Sequence, residues 1–215
     1  MRKLFLSIIP VLFAVSGFCQ GLQPVKLDSD VTVSLFPGYQ KKDTINQSTW
    51  SANAINGYMI VIRQPNAKGN TPLKKASDLN SVLKNYVKGI QAESPNSVAA
   101  NVRDTTVGPL KAKVFTLEID NGGDVTLRDF LLLYTQDVTY TFEYVYSNNT
   151  VSYSKKEGKA FFSSVRLGPD MTWNDQYQSR VTGLSSINKI EIFGGGAVVL
   201  LLIIVLVTRK KPALG

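Results

Sequence analysis

The sequence predicts an α+β fold, an antiparallel sheet flanked by helices on both faces (an α/β/α sandwich), followed by one C-terminal transmembrane helix. Four strand-like segments lie between residues 98 and 146 and are joined by short turns, and strands joined in this way pair antiparallel. Helical patterns lie on either side of this block. An uncharged run of seventeen residues near the C-terminus predicts the membrane span.

Before the block, the pattern predicts strands, a hairpin and a first helix. Apolar and polar residues alternate over Val31–Leu35, which is typical of a half-buried strand. Residues 49–54 and 58–63 predict a hairpin around Asn56-Gly57. Ser77 is the expected N-cap of the first helix. Its apolar face is Leu79, Val82, Leu83, Tyr86, Val87 and Ile90.

The four strands of the block are expected to form the centre of the sheet. Their predicted bounds are about 98–106, 112–119, 125–135 and 138–146. Phe130–Tyr134 is apolar at every position, so both faces of that strand should be covered. A second helix, over about residues 151–165, would cover one face and the Ser77 helix the other. Gly158 should weaken this second helix by about 1 kcal/mol.

The order of these segments resembles that of the PsbP/DcrB-like family. The resemblance rests on the segments "VTVSLFPGY", "GPLKAKVFTLEI", "YTFEYVY" and "KAFFSSVRL", the last expected as the closing helix, and spans about residues 25–168. It implies one extracytoplasmic domain over residues 20–168 with the compact α/β/α sandwich of exported or membrane-associated accessory proteins. Photosystem extrinsic subunits, phage-uptake factors and nuclear-transport cofactors belong to this family. No residue's role carries over, because no functional motif is shared.

The N-terminus has the pattern of an export signal. A basic start precedes an apolar run over residues 4–15. A helix of that length reaches only about 18 Å, against a bilayer core of about 30 Å. We expect a signal peptide over residues 1–19, with cleavage before Gln20. The alternative is that Cys19 carries lipid, as in bacterial lipoproteins, but the bulky Phe18 disfavours it.

The C-terminal run predicts a single transmembrane helix over residues 192–208. Such a helix covers about 25 Å, at the short end of the range for a span. Basic residues stay on the cytoplasmic side, so residues 209–215 are expected as a cytoplasmic tail and the domain as periplasmic, at a bacterial cell membrane. The polar residues 169–191 are expected as a stalk. A tail that is cut and re-anchored is the alternative. The expected contacts with lipid headgroups are Arg209, Lys210 and Lys211.

The charge of the chain gives no reason to expect nucleic-acid binding. The net charge is +8, but five of the 24 basic residues lie in the signal and the tail, while all 16 acidic residues lie between them. Residues 20–208 therefore carry only +3. A domain that binds nucleic acid usually shows a stronger or clustered basic charge.

The amino-acid composition excludes most catalytic mechanisms. The chain has no histidine, and its one cysteine lies in the expected signal peptide. Catalytic triads, thiolate catalysis and most zinc sites are thereby excluded from the mature chain. No phosphate-binding loop, dinucleotide motif or nucleophile elbow is present. We expect no cofactor, no metal centre and no enzymatic activity.

Two sequence patterns could form a binding site, and each also has a purely structural interpretation. Asp120 to Asp124, with Asp129 nearby, offers oxygen atoms to calcium, but it lacks the spacing of a calcium loop and suits a hairpin turn. The predicted strand 138–146 places four aromatic side chains on one face, which would form an interaction face or would pack in the core with their hydroxyls at its rim. These residues are Tyr140, Phe142, Tyr144 and Tyr146.

Three functions fit the sequence. The first is a membrane-anchored, extracytoplasmic accessory or assembly factor that acts by protein–protein interaction with an envelope partner. The second is a domain that binds a small ligand or lipid between the sheet and one helix. The third is a hydrolase that uses carboxylates alone, which requires two acids across one cleft.

Overall fold

The computed structural model describes residues 21–67 and 72–179. The expected signal peptide, span and cytoplasmic tail, with Arg209, Lys210 and Lys211, lie outside these residues. Within the described residues, no helix has both the length and the hydropathy needed to cross a bilayer.

The described chain has ten strands and two α-helices. They are β1 (Gln23–Lys26), β2 (Val31–Leu35), β3 (Gln40–Asp43), β4 (Ser48–Asn53), β5 (Tyr58–Pro65), α1 (Ala76–Ala92), β6 (Ser97–Val107), β7 (Leu110–Asp120), β8 (Val125–Tyr134), β9 (Val138–Ser147), α2 (Val151–Ser163) and β10 (Arg166–Leu167). Short 3-10 turns span Asn148–Thr150 and Trp173–Asp175.

The strands form two antiparallel sheets. The larger has seven strands in the order β3-β4-β5-β9-β8-β7-β6, and the smaller has three in the order β1-β2-β10. The predicted α+β class and antiparallel pairing are confirmed. Short turns join β6 through β9 in succession, so these four strands lie side by side.

Each face of the large sheet carries its own apolar core. On one face, Phe130 and Leu132 of β8 pack with Leu79 and Leu83 of α1. On the other face, Leu131 and Leu133 pack in the cluster that contains Phe161 of α2 and the buried side chains of β2. Alternate residues of β8 therefore serve opposite cores, which explains why the segment Phe130–Tyr134 is apolar at every position.

Three local predictions differ from the structure. Helix α1 begins at Ala76, and its N-cap is Lys75 rather than Ser77. The edge strand β3 was not predicted, because its residues are polar and exposed and carry no apolar alternation. The closing helix ends at Ser163, and Arg166–Leu167 instead pairs with β2 in the small sheet.

The folded domain continues past residue 168, where the sequence predicted a stalk. Gln176 is fully buried. Its amide donates to the carbonyls of Lys111 (2.7 Å) and Tyr134 (2.8 Å), and its Oε1 accepts from the Lys111 N–H at 2.8 Å. The backbone N–H of Gln178 donates to Leu73 at 2.9 Å. The expected stalk is therefore wrong for residues 169–179, which pack on the sheet, and residues 180–191 lie outside the described residues.

Candidate functional site

The tyrosines of β9 lie in the core and each donates to a carboxylate. Their side chains, and that of Phe142, are between 0 and 4 % exposed. They pack beneath α2 and the small sheet, so the expected interaction face is not a surface, and core packing is the correct alternative. The hydrogen bonds are Tyr140 to Asp28 Oδ2 (2.6 Å), Tyr144 to Glu157 Oε2 (2.6 Å) and Tyr146 to Asp129 Oδ2 (3.0 Å).

Asp28 joins the two sheets. Its Oδ1 accepts the backbone N–H groups of Asp30 and Val31, both at 2.9 Å, which shapes the β1–β2 turn. Its Oδ2 accepts from Tyr140 and, at 2.5 Å, from Arg63 Nε of β5. Burial opposes ionisation, but the bonds from Tyr140, Arg63 and the two amides outweigh it and lower the pKa of Asp28. Each oxygen of the Asp28 carboxylate already accepts two hydrogen bonds from the protein. Its role is therefore structural.

A groove lies beside this core, between α2 and the strands β6, β7 and β8. Its volume is about 930 Å³ and it is partly open to solvent. Helix α2 packs on β9 and β2, which leaves the same face of β6 and β7 partly uncovered. The groove brings apolar, cationic and acidic side chains together in one concavity, and we therefore take it as the candidate site.

Strand register sets the floor of the groove. Val114 lies between Arg103 and Leu131 across the sheet, and Thr116 lies beside Asp129. Directly paired residues share a face, so these two neighbouring rows present one cation, two apolar side chains, one hydroxyl and one carboxylate. Val114 is only half-buried, so apolar surface is open to an occupant.

Asp129 is held in the floor by neutral donors. The Thr116 hydroxyl donates to its Oδ1 at 2.6 Å, and the Tyr146 phenol donates to its Oδ2 at 3.0 Å. Burial, with the negative charges of Asp129 and Glu118, raises the pKa of Tyr146, which stays protonated as the donor. Glu118 pairs with Leu127, two positions from Asp129, so the groove holds two carboxylates on neighbouring strands.

Cations lie on both sides of the groove. Lys155 and Lys159 are exposed on α2 and are four positions apart, hence on one helix face. Arg103 is exposed on β6, at the edge of the sheet. Among the residues that the structure describes, none of these three cations forms an ion pair.

The sequence singled out only part of this site. Asp129 stood out as a neighbour of the acidic turn. Arg103 and Glu118 were missed, because only the register of β6 and β7 places them on the face of α2. The spacing of Lys155 and Lys159 was the one sequence signal for a shared cationic face.

The acidic segment predicted as a turn is a turn. Asp120 Oδ1 accepts the N–H groups of Gly122 (2.9 Å) and Gly123 (3.2 Å), and the Asn121 N–H donates to Asp124 O at 3.1 Å. Both glycines have positive φ, +80° and +116°, which favours glycine at these positions. Over residues 21–67 and 72–179, no group of three acidic or other metal-binding side chains is arranged to hold a metal ion.

Comparison with known proteins yields structures of low similarity. No protein-family model and no curated protein matches the sequence. PsbP (CyanoP) of Synechocystis has a TM-score of 0.49 and 14% identity, over 73% of this chain and 98% of that one. LpqN of Mycobacterium tuberculosis, described as involved in cell envelope biogenesis, has a TM-score of 0.43 and 10% identity, over 69% and 91%. A Pseudomonas aeruginosa protein of unknown function has a TM-score of 0.40 and 9% identity, over 64% and 91%.

Proposed function

We propose that this protein is a membrane-anchored accessory factor of the bacterial envelope, and that its domain binds a segment of a partner protein in the groove between α2 and β6–β8. The observation that carries the proposal is the groove itself, with half-buried apolar surface at Val114 and exposed cations at Arg103, Lys155 and Lys159 that form no ion pair with any described residue. The proposed activity is binding, without catalysis.

The shape of the groove favours a protein segment over a small ligand. Sites for small molecules enclose most of the ligand surface, whereas this groove is partly open to solvent. A protein segment needs only one of its faces covered, because the rest of the partner or the solvent satisfies the other. Anchoring at the membrane would raise the effective concentration of such a binding domain near its partner.

Site-specific photo-crosslinking tests the groove. A photo-reactive residue is placed at Thr105 or Asn148, which both line the groove, in the full-length protein in its native membrane. The control position is Asn85, an exposed asparagine on α1, which packs on the other face of the sheet. We expect one protein of defined mass to be crosslinked from both groove positions and not from Asn85. The same yield from all three positions, or none from the groove, contradicts the proposal.

Cysteine labelling tests the anchoring. The expected mature chain has no cysteine, so Lys84→Cys in the domain and Ala213→Cys in the tail each provide one thiol. With a membrane-impermeant maleimide, we expect Lys84→Cys to react once the outer barrier is opened, and Ala213→Cys to react only after the inner membrane is lysed. Labelling of Ala213→Cys from outside intact inner membranes excludes the proposed topology.

The second candidate function is a carboxylate-dependent hydrolase, which is favoured by the placement of Asp129 and Glu118 in one groove. Glycoside hydrolysis by two carboxylates requires them about 5–10 Å apart. Assays of the full-length protein against envelope polysaccharides test this candidate. Turnover that is abolished by Asp129→Asn and by Glu118→Gln would replace the binding proposal, and no turnover in the wild type excludes the hydrolase for those substrates.

A further inference from the structure

We propose that the groove selects a partner segment that carries acidic side chains on either side of an apolar one. This inference rests on the proposed function and adds the chemistry of the occupant. It depends on charge complementarity between the occupant and the cations on the two sides of the groove.

The cations on the two sides are available to an occupant. Lys155 and Lys159 lie on one side, Arg103 lies on the other, and all three are exposed. The exposed Lys41 contacts Asp43 at 2.9 Å, whereas Arg103, Lys155 and Lys159 form no ion pair with any residue that the structure describes. Exposed cations without a partner can form ion pairs with an incoming segment at little desolvation cost.

The two carboxylates of the groove do not cancel this charge. Asp129 is half-buried, and its two oxygens already accept from Thr116 and Tyr146. It is therefore part of the floor, whereas the cations are on the sides. Glu118 is exposed on β7. When both carboxylates and all three cations of the groove are counted, the groove has a net charge of +1. This positive charge attracts an acidic occupant and repels a basic one.

Apolar surface lies between the two sides. Val114 and Phe162 are half-buried, and both pack against the core cluster of this face. An apolar side chain placed there removes surface from water at about 25 cal/mol per Å². The acidic side chains on either side of it would then lie over Arg103 and over the two lysines. Protein segments that combine both features supply an apolar contact and ion pairs together.

Peptide binding to the full-length protein in detergent tests this inference. The probes are three labelled ten-residue peptides in which serine occupies every second position and glutamate, valine and glutamate recur at the positions between, so that they share one face of an extended chain. In the second and third peptides, glutamine and lysine replace glutamate. We expect the glutamate peptide to bind at least about tenfold more tightly than the glutamine peptide at low salt, and this advantage to shrink as salt rises. The lysine peptide should not bind.

Charge reversals locate the binding. Lys155→Glu, Lys159→Glu and Arg103→Glu should each weaken binding of the glutamate peptide about three- to tenfold. Lys156→Glu is the matched control, because Lys156 is exposed on the same helix but does not line the groove, and we expect a change of less than about twofold there. Equal effects at Lys155 and Lys156 overturn the inference.

The two proposals can fail separately. If groove crosslinking captures one partner but the glutamate and glutamine peptides bind equally, the acidic specificity is wrong and the accessory function stands. If the material crosslinked from the groove is lipid or glycan, the inference of a protein segment is overturned. If neither position crosslinks and no peptide binds, both proposals fail.

Discussion

The hydroxyl of Tyr144, in the middle of β9, donates a 2.6 Å hydrogen bond to Oε2 of Glu157 on α2. The same carboxylate accepts the backbone N–H groups of Ile55 (3.0 Å) and Asn56 (2.9 Å), in the turn between β4 and β5. Ser154, on the preceding turn of α2, donates to the Asn56 carbonyl at 2.9 Å. The helix that forms one side of the groove is thus held by a strand and a turn distant in sequence.

Substitution of Glu157 by glutamine should destabilise the fold. A neutral amide accepts through one oxygen only and turns its NH₂ group toward donors, so at least one of the three donors loses its acceptor. We expect the free energy of unfolding to fall by about 1–3 kcal/mol, measured from the urea midpoint of the full-length protein in detergent. Glu118→Gln is the control, because Glu118 is exposed, and its effect should stay within about 0.5 kcal/mol. Equal midpoints for the two variants would show that the Glu157 contacts contribute nothing.

Asp28 should make stability depend on acid pH. Its pKa in the folded protein lies below the ordinary value of 3.8. The ionised group therefore stabilises the fold above pH 3.8, and that stability is lost as the pH falls through the lowered pKa. Asp28→Asn should lower the unfolding free energy at pH 7 by about 1–3 kcal/mol, and its difference from wild type should narrow below about pH 4.

Thermal unfolding between pH 2 and pH 7 measures this effect. Asp170→Asn is the control, because Asp170 is exposed and should leave the pH profile unchanged. A difference between Asp28→Asn and wild type that stays constant across the whole pH range would show that the ionised form of Asp28 is not what stabilises the fold.

Glycine-to-alanine substitutions should act in opposite directions on the two helices. A Cβ on Gly158 would lie 3.0 Å from Cδ1 of Tyr144, whose ring is fully buried and cannot move aside. Overpacking of about 1–3 kcal/mol should match or exceed the gain in helix propensity of about 1 kcal/mol. A Cβ on Gly89 meets no atom within 4 Å, so Gly89→Ala should stabilise α1 by about 1 kcal/mol.

Unfolding of both glycine variants under the same conditions checks this prediction. We expect Gly158→Ala to have a melting temperature at or below that of wild type, and Gly89→Ala to melt higher. Similar increases in the melting temperature of both variants would mean that the Tyr144 ring can shift to accommodate the added Cβ. Helix α2 would then not need a glycine for its close approach to the sheet.

Gln176 should hold residues 169–179 on the sheet. Gln176→Ala leaves the Lys111 N–H and two carbonyls without their partner, at about 2–4 kcal/mol in total. Limited proteolysis should then cut between residues 168 and 179 faster than in wild type. Gln178→Ala is the matched control, because the Gln178 side chain is exposed and its bond to Leu73 is made by the backbone. Equal cleavage of the two variants would contradict the role of Gln176.

Local pattern accounts for most of the secondary structure. The alternation in Val31–Leu35 and the apolar periodicity of α1 follow from strand and helix geometry, so they could be predicted without any partner. Elements without such a pattern were missed: β3 is polar at every position and forms by pairing with β4. The pair Arg166–Leu167 is a strand only because β2 lies beside it.

The sequence by itself determined the α+β class, the succession β6 to β9, the placement of both helices and the absence of histidine chemistry, because these depend on neighbouring residues and on composition. Only the tertiary structure decided that the tyrosines of β9 are core residues, that Gln176 belongs to the domain, and that Arg103 faces Lys155 across a groove. The hydrogen bond from Tyr140 to Asp28 joins residues 112 positions apart. Such contacts depend on strand register and helix docking, which combine many weak interactions over the whole chain, and no short segment of the sequence carries that information.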